Sequence, residues 1–309
     1  MAGKDAAGVK QTVAYQEKNK AAAGSVLAAI GLTTLKIVVG VLTGSLGILA
    51  EAAHSALDLA AALMTWFAVR ISGKPPDRTH LYGHGKAENL SALFETLLLL
   101  ATCVWVVYSA LARLIHGRIE IEVTVWSFAV MALSIVVDYS RSRVLRAAAK
   151  KHGSQALEAD ALHFSTDIWS SAVVIAGLAC VKLSELYPAL AILKRGDAVA
   201  ALIVAGIVFF VSGKLGLRTV QGLLDAAPKG LEERIKATAE TVPGIVDCHQ
   251  VRARYSGAQF FVDAHVLVDG AITLAQAHAL TEEVEKAIQR IVPGADVTVH
   301  AEPAPVPAP

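Results

Sequence analysis

Residues 51–67 read EAAHSALDLAAALMTWF, and residues 161–170 read ALHFSTDIWS. Each stretch sets a histidine and an aspartate four residues apart, His54 with Asp58 and His163 with Asp167, inside a long apolar run. Ionisable side chains are costly to place in such surroundings and mark function there by default. How these two motifs are read decides the fold.

The runs that hold them are long. The chain has 309 residues, 54% of them hydrophobic, and a mean hydropathy of +0.52. A soluble domain is roughly 45–50% apolar, in short amphipathic groups. Here the apolar residues come in blocks close to the roughly 20 that a helix needs to cross a bilayer. Six spans are predicted, at 23–44, 46–72, 88–116, 121–149, 155–183 and 198–220. Links as short as Thr43-Gly44-Ser45 make neighbouring helices antiparallel. The lipid bilayer is therefore an expected partner. A net charge of +1 argues against nucleic acid, which calls for a concentrated basic face. Cys103, Cys180 and Cys248 form no CxxC pair, which leaves neither a disulfide framework nor a thiolate zinc site. The first twenty or so residues are polar, with no cleavable apolar core.

Basic residues orient the bundle. Lys4, Lys10, Lys18 and Lys20 precede the first span; Arg70, Lys74, Arg78 and Lys86 lie between the second and third. Arg141, Arg143, Arg146, Lys150 and Lys151 lie between the fourth and fifth, and Lys214 and Arg218 close the sixth. The opposite loops hold only Arg113, Arg118, Lys182, Lys194 and Arg195. The positive-inside rule then puts both termini in the cytoplasm. With no organelle signal, the expected location is a bacterial inner membrane.

After Pro228 the composition changes. Residues 229–241 and 273–291 have the period of amphipathic helices, while 246–254, 259–268 and 296–301 read as strands. The order αββαβ suits a small α+β domain with its helices on one face of a sheet. The organisation expected is an N-terminal segment 1–22, a six-helix transmembrane bundle 23–222, an α+β domain 228–302 and a Pro-rich tail 303–309.

On a helix, residues four apart share a face. Each motif thus offers an imidazole beside a carboxylate, about 12 Å deep at 1.5 Å per residue. Together the pairs supply two nitrogens and two carboxylate oxygens, a tetrahedral set suited to Zn²⁺. The plain alternative, two structural His–Asp hydrogen bonds, has to be invoked twice within the membrane. A metallohydrolase wants an open metal position and a nearby general base, commonly as HExxH, and no HExxH occurs. Four protein ligands close the coordination sphere, which favours binding and release over catalysis. Protonated histidine cannot bind metal, so protons can displace the ion. The pattern points to metal–proton exchange and not to an enzyme. Asp138 and Asp160 are further acids in the spans, as able to pair with a nearby Arg or Lys as to modulate the site.

With the paired HxxxD motifs, the stretch DRTHLYGHGKAE at 77–88 and a His-bearing αββαβ tail, the sequence resembles the cation diffusion facilitator family, in particular its bacterial zinc and iron efflux type. The resemblance covers essentially the whole chain. It implies a homodimer that exports divalent cations in exchange for protons by alternating access, with a ferredoxin-like cytoplasmic domain that binds metal. Several bacterial members carry Asp where this chain has His54; the set here looks more like the zinc-preferring members. It makes Mn²⁺ less apt and leaves Fe²⁺, Co²⁺, Ni²⁺ and Cd²⁺ as alternatives. A membrane metal sensor that does not transport is the rival from another class.

The resemblance also carries over two further sites. Asp77, His80 and His84 match the family's loop metal site; His80 and His84 could chelate if the loop were helical, whereas a turn at Gly83 and Gly85 would leave them solvated. His249, His265, His278, His300 and Glu302 match positions that bind metal near the dimer interface of the tails, with Glu302 one methylene longer than the family's carboxylate. Lys86 matches a lysine that pairs with an acid after the sixth span, a position held here by Asp225.

Overall fold

The computed structural model describes residues 2–116, 125–186 and 196–305. Arg118, Lys194 and Arg195, read above as loop residues, and the last four residues of the Pro-rich tail lie outside them. The chain forms six long helices, α1 (Ala2–Thr43), α2 (Leu46–Ser72), α3 (Lys86–His116), α4 (Val125–His152), α5 (Gln155–Leu186) and α6 (Gly196–Leu223). They are followed by α7 (Leu231–Glu240), β1 (Ile245–Ser256), β2 (Gln259–Val268), α8 (Leu274–Ile291) and β3 (Asp296–Pro303). Two compact units result. One holds Lys10–Lys74 and Ala87–Thr219; the other holds Pro75–Lys86 and the chain from Val220 onward, with the first residues of α1.

In the first unit, local chemistry sets the helix ends. Gly44 takes a left-handed φ of 66° that stops α1, and Ser45 accepts from the Ile48 N–H to start α2. Gly153, at φ 63°, ends α4, and Ser154 Oγ accepts from the Leu157 N–H at the start of α5. A β-carbon disfavours this backbone region, which is why glycine occupies both sites. Residues 2–22 belong to α1, which runs without a break from Ala2 to Thr43, and no proline interrupts them. Helical stretches Thr12–Thr43, Glu51–Ser72, Lys86–Ala112 and Ala201–Leu223 are long and apolar enough to cross a membrane. Arg141, Asp160 and His163 are all buried.

One end of this bundle closes on a single carboxylate. Glu88 of α3, 1% exposed, accepts from Lys18 of α1 and Ser154 before α5, and from Ser72 of α2 at 2.7 Å. Four segments therefore meet there, and it serves below as the Glu88 end.

The second unit contains the α+β domain, with the element order and spacing expected. Its sheet runs β1-β2-β3, antiparallel between β1 and β2 and parallel between β2 and β3. A parallel neighbour requires a crossover, which α8 supplies, started by a Thr273–Gln276 capping box. Ile235 and Ala239 of α7 and Val284 and Ile288 of α8 pack on Cys248, Val262 and Val266 from the sheet. The other face of the sheet carries the histidines.

Candidate metal centres

The first centre lies in the helical unit. The i, i+4 geometry of α5 brings His163 Nε2 to 3.6 Å from Asp167 Oδ2, and helix packing brings it to 3.1 Å from Asp58 Oδ1 on α2. A tetrahedral ion with ligands at 2.0–2.2 Å needs donors about 3.3–3.6 Å apart. Asp58, His163 and Asp167 each offer a ligand atom within 4.8 Å of the other two. His163 Nδ1 is buried without a hydrogen-bond partner among the described residues. His54 stands apart: its Nε2 is 3.9 Å from Asp58 Oδ1, and its side chain is 48% exposed against 10% for His163. Three of the four expected ligands are together, and His54 is not among them. Phe164, packed edge-on to His163 at 5.4 Å, lies under the Arg141 guanidinium. Asp138 pairs with Arg141 at 3.3 Å.

The second centre belongs to the loop that precedes α3. The loop is a succession of turns and not a helix. It nevertheless gathers its ligands, because Asp77 Oδ1 accepts from the backbone N–H groups of Thr79 and His80 at 2.8 and 2.7 Å. Gly83, with φ 75°, then folds the chain back. His80 and His84 end with ring centroids 4.3 Å apart, and Asp77 Oδ2 lies 3.3 Å from His84 Nε2. The N–H of His80, then that of Thr79, holds the Asp77 carboxyl well below the usual carboxylate range. His84 Nδ1 is a buried atom without a hydrogen-bond partner. The loop is seated on the β1–β2 hairpin: a β-carbon at Gly85 would collide with the Ser256 carbonyl, and Tyr82 meets Phe261 edge-on at 5.3 Å.

The third centre is a row across the sheet. His249 is registered opposite His265, and His265 opposite His300, on three adjacent strands. A bulge follows His249, where Gln250 takes φ 50°; bulges re-aim side chains in this way. Glu302, two residues along β3 from His300 and on the same face, puts Oε1 2.8 Å from His265 Nδ1 and Oε2 3.3 Å from His249 Nε2. The hydrogen bond with His265 is the main cause that lowers the Glu302 carboxyl below its ordinary range. His249, His265 and Glu302 cluster at ligand spacing, with His300 3.8 Å from Glu302. His278 lies outside the cluster, 74% exposed and beside Glu282.

Lys86 Nζ and Asp225 Oδ1 pair at 2.9 Å. Arg254 joins them, 3.5 Å from Asp225 and stacked over Tyr82, a partner the sequence reading did not name. Glu95 of α3 was also passed over. It is 1% exposed, and its one sequence signal is a lone acid in the apolar run SALFETLLLL at 91–100.

Comparison with known proteins extends over the whole chain. Residues 23–224 match the cation efflux transmembrane domain, and 227–304 match the cytoplasmic domain of cation efflux proteins. The cation-efflux pump FieF of Serratia proteamaculans is 33% identical over 296 residues, covering 94% of this chain and 93% of that protein. FieF of Citrobacter koseri is 31% identical over 303 residues, covering 96% of each. A solved nickel form of the MamM CTD is 30% identical and covers 25% of this chain and 100% of that one, with a TM-score of 0.24. With both domains matched end to end around the paired HxxxD helices, this chain belongs to the cation diffusion facilitator family of divalent-metal efflux transporters.

Proposed function

We propose that this transporter exports Zn²⁺ in exchange for protons, as a homodimer in a bacterial inner membrane with both termini in the cytoplasm. The observation that carries the reading is the Asp58–His163–Asp167 cluster, whose ligand atoms lie within 4.8 Å of one another, His163 Nε2 at 3.1 and 3.6 Å from the two carboxylates. His54, on the same helix face as Asp58 and one rotation away, completes a set of two nitrogens and two oxygens. Imidazole binds metal only when deprotonated, so binding releases protons and a proton gradient can drive release of the ion. The loop and tail clusters would bind cytoplasmic metal as regulatory sites, the tail one drawing two protomers together. The Lys86–Asp225 pair would act at the hinge of the dimer.

A second reading rests on His54. With that side chain turned out, the clustered donors are one nitrogen and two carboxylates, and oxygen-richer sets suit Fe²⁺ and Co²⁺ better than they suit zinc. Uptake of Zn²⁺, Fe²⁺, Co²⁺, Ni²⁺ and Cd²⁺ into proteoliposomes under an imposed pH gradient tests both. Gradient-driven Zn²⁺ flux that vanishes in Asp167→Ala is the expected result. Flux of another ion alone changes the substrate, and binding without flux of any ion sinks export in favour of sensing.

A further inference from the structure

Two buried carboxylates of the bundle take no part in the metal cluster. Glu95 on α3 is 1% exposed and Asp160 on α5 is 0% exposed. Glu95 Oε1 accepts from the hydroxyl of Thr65 on α2, which itself lies 3.4 Å from Ser91 Oγ. Asp160 Oδ2 accepts weakly from Ser25 of α1 at 3.4 Å. The remaining oxygens, Glu95 Oε2 and Asp160 Oδ1, are buried with no hydrogen-bond partner among the described residues.

Their placement follows the metal ligands. The last residue of α2 and the residue before α5 both bind Glu88, so these helices run in opposite directions. Toward the Glu88 end, Thr65 lies seven residues beyond Asp58, and Asp160 lies seven before Asp167. Seven residues are close to two turns, which keeps each on the face of its aspartate and about 10 Å further along the axis. Glu95 is bonded to the first of these positions and lies seven residues beyond Glu88 on its own helix. Both free oxygens therefore lie on the Glu88 side of the metal cluster.

Burial of a carboxylate with neither a cation nor a full set of hydrogen-bond donors favours its protonated form. The groups that act on Glu95 are Asp160, Thr65 and His163. Those that act on Asp160 are Arg141, His163, Ser25 and Asp58. Ser25 Oγ accepts from Arg141 and donates to Asp160, which links that carboxylate to a guanidinium, whereas among the described residues no arginine or lysine is paired with Glu95. We propose that Glu95 is a proton-carrying residue of the transport cycle, separate from the metal ligands. As an ion enters the quartet, the O–H bond of Glu95 breaks and its proton passes to water at the Glu88 end. The carboxylate left behind offsets part of the ion's double positive charge; when the ion departs, Glu95 takes up a proton again. The inference rests on the proton-exchange reading above.

The test uses the full-length protein as wild type, Glu95→Gln and Thr65→Val. Protons released per Zn²⁺ bound are counted with a pH indicator in weak buffer, and Zn²⁺ uptake into vesicles is measured with and without a pH gradient. Glu95→Gln, an isosteric mimic of the protonated state, is expected to bind Zn²⁺ with wild-type stoichiometry and release about one proton fewer per ion. It should also lose part of the gradient's stimulation of uptake. Thr65→Val keeps the carboxyl but removes its donor, and is expected to shift the pH at which that proton leaves while preserving the count. An unchanged count and gradient response in Glu95→Gln overturns the proposal. So does weaker Zn²⁺ binding with the count per bound ion intact, which would make Glu95 a waypoint for the cation. Wild-type flux that ignores the gradient would instead be a failure of antiport, and the proton count on binding would still decide the role of Glu95.

Discussion

His54 and His163 occupy identical HxxxD motifs, yet their surroundings make them unequal. His163 is held between two carboxylates with its ring packed on Phe164, while His54 is half exposed and 3.9 Å from Asp58. A ligand already in place costs less ordering entropy on binding than one that must rotate. His163→Asn is therefore expected to weaken Zn²⁺ binding by well over tenfold and His54→Asn by less, as calorimetric titration of the two variants would show. Equal losses would mean that both imidazoles are ligands of the same standing. The motif spacing made all four residues legible in the sequence. Their ranking was not, because exposure depends on neighbours brought by other helices. Glu95 was missed for a related reason: one acid in an apolar run has no partner in sequence, and its meaning comes from Thr65 and Asp160 across helix interfaces.

At the scale of elements, the loop shows best how local chemistry makes a site. DRTHLYGHG was open to two readings, a helix that chelates or a turn that leaves its histidines solvated, and the loop is a turn that gathers them. Asp77 caps the first bend with its carboxylate, and Gly83 at φ 75° makes the second. A β-branched residue at such a φ costs about 1–2 kcal/mol. Gly83→Val is thus expected to part His80 from His84 and reduce the number of Zn²⁺ ions bound per chain, with bundle-mediated flux retained. Unchanged stoichiometry by metal analysis of the purified protein would show that the loop holds no ion. In the tail, the alternation of β1 and β2 and the amphipathic period of α8 gave the elements away. The bulge after His249 was not legible, since Gln250 is no glycine and only strand pairing puts it at positive φ.

For the whole molecule, the Glu88 knot is the contact on which the bundle's closed end depends. It ties α1, α2, α3 and the start of α5 through Lys18, Ser72 and Ser154. Removing one partner of a buried ion pair leaves the other charge uncompensated and costs about 3–5 kcal/mol. Glu88→Ala is expected to lower the thermal unfolding midpoint in detergent far more than Lys86→Ala. The Lys86–Asp225 pair is more than a third exposed on both sides, a setting in which a pair contributes under about 1 kcal/mol. Comparable shifts in the two variants would deny the knot its structural role. By itself the sequence determined the class of the fold and the order of its elements, and it marked candidate metal donors. The first two follow from periodicity and hydropathy, which are local; the donors of the bundle were proposed from their chemistry, those of the loop and tail from the family resemblance. Only the tertiary structure decided which donors meet, which of two like histidines is poised, and which buried acids lack a partner. Those outcomes depend on distances between residues far apart in the chain, such as Asp58 and His163, and packing alone sets such distances.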